Sequence, residues 1–83
     1  MSVGELIAVF ISTHETLRAE RAFREARIKV RATVKPRKIG SNCQMAITFP
    51  EGKLAEIKNI VKKDGFDLVG FYRKREEGDW AEV

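Results

Sequence analysis

The sequence predicts an α+β domain in which two helices cover one face of a four-stranded antiparallel sheet. Three observations carry this: a short apolar run at residues 5–11 leading into a helix-capping pattern, a second helical stripe closed by Asp64-Gly65, and three further runs of strand length. The run Glu5 to Ile11 is apolar and partly β-branched, as a strand should be. Ser12 and Glu15 have the spacing of a capping box, so this strand passes directly into a helix from about Thr13 to Ala26. Thr16, Ala19, Ala22, Phe23 and Ala26 share one face of it at helical spacing, while Leu17 points away.

Residues 29–34 alternate Val30, Ala32 and Val34 against Lys29, Arg31 and Thr33, the pattern of a half-buried strand. A loop from Lys35 to Asn42 follows. Residues 44–49 then place Met45, Ile47 and Phe49 on one face, and Pro50 stands where a helix can begin. The second helix carries Leu54, Ile57, Ile60 and Val61, and Gly65 stops it. Residues 67–73 make the last strand.

The order strand, helix, strand, strand, helix, strand is that of a ferredoxin-like βαββαβ sandwich with spatial strand order 4-1-3-2. Residues 1–73 form the single domain, and residues 74–83 are expected to be a charged, mobile tail from which Trp80 can dock on the sheet or on a neighbouring subunit. The first strand is apolar on both sides. Leu6, Ala8 and Phe10 are assigned to the face away from the helices, where an apolar patch would mark an interface, so a homo-oligomer packed sheet to sheet is expected.

Composition narrows the function classes. Eighty-three residues make one domain with a single core and leave little material for a deep substrate cleft, so a carrier or accessory role is expected rather than an enzyme acting alone. No run approaches the roughly 20 apolar residues of a membrane helix, and the N-terminal run lacks a basic region before it and a cleavage site after it, which points to the cytoplasm. One cysteine and one histidine make neither an internal disulfide nor a zinc site, and no phosphate-cradling or dinucleotide fingerprint occurs, so neither metal nor cofactor is expected. A net charge of +4 is mild, and the arginines at 18, 21, 24 and 27 read as a solvated helix face. The third strand has one aromatic, Phe49, and lacks the Lys/Arg-Gly-Phe/Tyr pattern of RNA-recognition domains, so nucleic acid is not expected as a partner.

The stretch "KPRKIGSNCQMAITF" holds the only cysteine. In the expected topology the end of the first strand lies beside the start of the third, which brings Ser12, Thr13 and His14 to the edge where Cys43 enters. The N-terminus of the first helix opens there, and the loop with Arg37 and Lys38 closes over it. A thiol titrates near about 8.5, and a helix N-terminus or nearby cation lowers that value by stabilising the thiolate. Cys43 is thus a candidate nucleophile, with His14 as a proton acceptor or orienting group and with Ser12, Thr13, Arg37, Lys38, Gly40, Ser41 and Asn42 as the anion-binding surround. The competing reading of Cys43 is a small buried hydrophobe in a small-molecule regulatory or protein-interaction module.

The segment "FISTHETLRAERAFREARIKV" followed by "KPRKIGSNCQMAI" resembles the selenium/sulfur carrier-like family over roughly residues 5 to 73. The matching features are Ser12-Thr13-His14 before a helix containing Leu17-Arg18-Ala19-Glu20, then Pro36-Arg37, then a small polar run ending in Cys43. Two positions depart from the family pattern. Gln44 follows the cysteine where the family has glycine, and Glu25-Ala26-Arg27 stands where a glycine commonly ends the helix. The resemblance implies that Cys43 accepts sulfur or selenium as a persulfide or selenopersulfide, with a cysteine desulfurase or another donor protein and a biosynthetic acceptor as partners.

Overall fold

In the computed structural model, which describes residues 4–40, 43–75 and 78–83, a five-stranded antiparallel sheet is built around its first strand. Strand β1 (Glu5–Phe10) lies between β3 (Met45–Pro50) and β4 (Leu68–Lys74), with β2 (Arg31–Val34) beyond β3 and β5 (Trp80–Glu82) beyond β4. Two helices, α1 (Thr13–Glu25) and α2 (Leu54–Asp64), complete the chain order. The architecture is therefore α+β, and the first four strands keep the expected 4-1-3-2 order. The sheet has five strands rather than four, because the charged C-terminal segment supplies β5: Tyr72 pairs with Glu82 and Lys74 with Trp80. The tail's apolar content, Trp80 and Ala81, is too short to read as a strand by period, yet it meets the ladder that β4 leaves open at its edge.

Local chemistry accounts for the entry of α1 and for both helix exits. Ser12 caps α1 with its hydroxyl, which accepts from the Glu15 N–H at 3.2 Å. The other half of the expected capping box goes elsewhere: the Glu15 carboxylate accepts from the Asp67 N–H at 3.0 Å and pairs with Arg18 at 2.9 Å. The Asp67 amide and the Arg18 charge together hold the Glu15 carboxyl below its usual range, against a smaller upward push from desolvation. The same residue ties the start of α1 to the start of β4, where the Ile11 N–H also donates to the Asp67 carbonyl at 3.1 Å. At the far end the Ile28 N–H reaches back to the Phe23 carbonyl at 3.0 Å, and Arg27 takes φ +64, a left-handed turn that glycine makes without strain. Gly65 ends α2 at φ +72, where the sequence places the stop. A 3-10 turn, Glu51–Lys53, separates Pro50 from α2.

The two faces of β1 are exchanged relative to expectation. Leu6, Ala8 and Phe10 point toward the helices and form the main core with Phe23, Ile47, Phe49, Ile57, Phe66 and Phe71, so they offer no exposed patch for a second copy. Ile7 and Val9 occupy the other face with Ala46. Period-two alternation separates the two faces but gives them no sign when both are apolar. Bulk decides: Phe10 meets Phe23 at 6.5 Å and Phe66 edge-on at 6.4 Å, filling the space between the layers. The second face is covered within the chain by Ile39 of the β2–β3 loop and by Trp80, with Val69 and Tyr72 alongside. Strand β2 is an edge rather than a half-buried element, and Val34 is 80% exposed. Among the described residues no helix is long and apolar enough to cross a membrane.

Two substitutions test this packing by urea unfolding. Phe23→Ala removes a wholly buried ring and should cost about 3–5 kcal/mol. Arg27→Gly relieves the left-handed residue at the end of α1 and should raise stability by about 1 kcal/mol.

Candidate functional site around Cys43

Cys43 sits one residue beyond the last described rung of the β2–β3 ladder, where the Lys35 N–H donates to the Gln44 carbonyl at 2.8 Å. Its sulfur meets the first turn of α1. Thr16 Oγ1 lies 3.1 Å from Sγ and Thr13 Oγ1 3.7 Å. The Met45 N–H donates to Sγ at 3.3 Å, and the Met45 carbonyl is 3.4 Å away as an acceptor for the thiol proton. The side chain has 0% of its surface exposed. The capped helix entry and the start of an interior strand therefore pack directly on one thiol.

The Thr16 hydroxyl has one proton and two acceptors within reach. Besides Sγ it lies 2.9 Å from the Ser12 carbonyl, which also accepts the Thr16 N–H at 3.0 Å. When Cys43 is protonated, its S–H donates to Thr16 Oγ1 or to the Met45 carbonyl, and the Thr16 hydroxyl donates to Ser12. When Cys43 is a thiolate, the Thr16 hydroxyl can turn to the sulfur while Ser12 keeps its helical hydrogen bond. The Met45 N–H serves either state. Burial pushes the Cys43 thiol up, but the hydrogen bonds from Thr16, Met45 and Thr13 and the charge of Lys35 together outweigh it, and the thiol titrates below its ordinary value. Lys35 is itself held in place, its Nζ donating to the Pro36 carbonyl at 3.3 Å and to the Ile39 carbonyl.

The other residues singled out in the sequence spread around this point. Ser12 is the N-cap and touches the site through its carbonyl. His14 is exposed in the first turn of α1 and is not among the described partners of the sulfur. Arg37 is exposed and lines a shallow cavity of about 370 Å³ with Val34, Lys35 and Gln44. Lys38 is exposed and pairs with Asp79. Gly40 is exposed, and a Cβ there would meet nothing within 4 Å, so packing does not demand glycine. Ser41 and Asn42 lie outside the described residues. Thr16 and Lys35 are site residues that sequence reasoning did not single out. Thr16 had a signal, a lone hydroxyl on an otherwise apolar helix stripe, whereas nothing in the run of loop cations marks Lys35 over Arg37 or Lys38. Among the described residues no group of three or more His, Cys, Asp or Glu side chains could hold a metal ion.

The hydroxyl's contribution is measurable as a pH profile. Thr16→Val removes a donor to the thiolate, so the midpoint of Cys43 alkylation by iodoacetamide should move to higher pH. Thr16→Ser should keep the wild-type midpoint, and equal midpoints for all three proteins would remove Thr16 from the account.

No curated protein and no solved structure matches the chain. Residues 5–73, which span β1 to β4 and include the capped start of α1, the cationic loop and Cys43, match the family described as Putative Se/S carrier protein-like, and the chain belongs to that family.

Proposed function

We propose that this protein accepts a sulfur or selenium atom on Cys43 and carries it as a persulfide or selenopersulfide. The observation that supports this reading best is the set of groups around Sγ, two threonine hydroxyls and one backbone amide, beside a lysine fixed on the loop. An apolar core cysteine needs none of these partners. In the transfer, the Cys43 thiolate attacks the outer sulfur of a donor persulfide. One S–S bond forms as the donor's S–S bond breaks, the donor cysteine leaves as a thiolate, and no net oxidation occurs. A cysteine desulfurase is the donor class that fits, with a biosynthetic acceptor downstream. The capped first turn of α1 and an interior strand seat the cysteine.

The buried state of the thiol supports a closed resting form in which a sulfane sulfur is shielded from cellular thiols. The same burial favours the second reading, a structural cysteine in an interaction module. One experiment separates them. After incubation with a cysteine desulfurase and cysteine, intact mass spectrometry should show a gain of one sulfur atom, reversed by reductant and absent from Cys43→Ser. An unmodified wild-type protein, beside a control acceptor that is modified under the same conditions, decides for the structural reading.

A further inference from the structure

We infer that the open edge of β2 docks an extended acidic segment of a partner protein, which joins the sheet as a further strand. Docking of this kind does not require Cys43 to carry sulfur, and so goes beyond the carrier reading.

Strand β2 pairs only with β3 and ends the sheet on the side opposite β5. Its antiparallel register sets Arg31 against Thr48 and Val34 against Met45, and one step further the Lys35 N–H donates to the Gln44 carbonyl. Hydrogen bonding alternates along an antiparallel pair. Arg31 and Thr33 therefore turn their backbone groups toward β3, as Lys35 does, and Ala32 and Val34 turn theirs outward. Both outward residues are exposed, Val34 at 80%, and none of the described loop, turn or side-chain hydrogen bonds uses their backbone groups. Pro36 closes the edge, since it has no N–H to offer.

Charge selects the strand that fits. Every charged side chain from Ala26 to Pro50 is cationic: Arg27, Lys29, Arg31, Lys35, Arg37 and Lys38. Two cavities open beside the edge. One, of about 190 Å³, has Arg31, Thr33, Lys74 and Trp80 on its walls, and the other is the cavity of about 370 Å³ lined by Val34, Lys35, Arg37 and Gln44. Glu5, 3.9 Å from Arg31, is the only carboxylate among their described lining residues, so four cations face one anion. Side chains of an added strand alternate between the two faces of the sheet, and carboxylates on it come within reach of these cations.

Other occupants match less of the edge. Pairing β2 with β2 of a second copy would bring Lys29, Arg31 and Lys35 of each together, and like charges on an edge oppose that contact. Strand β5 carries Glu82 beside Asp79, but it offers only three residues, and β2 joined to β5 of the next copy makes an open-ended row. RNA matches the charge but not the backbone. Phosphates only accept hydrogen bonds, so the outward carbonyls of Ala32 and Val34 would go unmet, and residues 29–38 include no aromatic ring on which a base can stack.

The probe is a short fluorescent peptide alternating Glu and Val, titrated into the full chain at low salt beside a Lys and Val peptide and an oligouridylate. The acidic peptide should bind saturably, about tenfold or more tighter than the basic one, and weaken as salt is raised. By NMR hydrogen exchange the Ala32 and Val34 amides should slow on binding, which new backbone hydrogen bonds require and charge attraction alone does not. Val34→Pro deletes an outward donor without touching the bonds to β3 and should weaken binding about fivefold. Arg31→Glu combined with Arg37→Glu should weaken it about tenfold, and Cys43→Ser should bind like the wild-type protein. Unchanged exchange of the β3 amides checks that each variant is folded, and the arginine pair carries the comparison where Val34→Pro is not. No saturable binding, equal binding of the two peptides, or no protection of Ala32 and Val34 overturns the proposal. So do oligouridylate that protects these two amides, which assigns the edge to nucleic acid, and assemblies of the protein alone that grow with its concentration and are lost in Val34→Pro, which assign it to a second copy.

Discussion

Strand β1 is buried on both faces, and most of the molecule is arranged to satisfy that. From Leu6 to Phe10 every residue is shielded from water, with β3 and β4 paired on either side. A strand of this kind needs two covers, because each exposed apolar face would forfeit about 25 cal/mol for every Å² left wet. The helices supply one. An 83-residue chain has no second helical layer to spend on the other, and the cover there is built from Ile39 on a loop and Trp80 on a three-residue strand.

That arrangement puts the loop before Cys43 and the C-terminal strand on the same face of the sheet. Ile39, which packs on Val9 and Ala46 from the far side, belongs to the loop that leads into Cys43, and the sulfur lies on the near side against Thr13 and Thr16. The departure of Gln44 from the family's glycine has limited structural weight by comparison. Gln44 is exposed, its carbonyl completes a ladder hydrogen bond, and it lines the cavity with Arg37. The sulfur is met instead by Thr13 and Thr16 of the helix turn and by the Met45 backbone.

The electrostatics of the site follow from a competition between burial and hydrogen bonding. A buried thiolate in apolar surroundings would be strongly disfavoured, and a buried thiol with no donors would behave as a small hydrophobe. Here a helix entry contributes two hydroxyls, and the start of a strand contributes an amide. The Thr16 proton can serve either Ser12 or the sulfur, so a donor is present for the charged form without being left unpaired in the neutral one.

Much of the framework is determined by the sequence alone, through patterns that act over a few residues. Ser12 as a helix cap, Gly65 as a helix stop, the alternation at Met45, Ile47 and Phe49, and the order of the first four strands are local in origin. The meeting of Thr13 with Cys43 follows from that order, since antiparallel neighbours bring the end of β1 to the start of β3. Three things required the tertiary structure. Which face of β1 meets the helices depends on the fit of Phe10 among Phe23 and Phe66, because alternation between two apolar faces has no sign. Strand β5 exists because β4 offers an open edge and the second face needs cover, neither of which is written in "DWAEV" itself. Thr16 and Lys35 are assigned to the sulfur, rather than His14, Arg37 or Lys38, by side-chain direction: the helix turn buries Thr16 on the sulfur and leaves His14 exposed, and carbonyls of its own loop hold Lys35 in place.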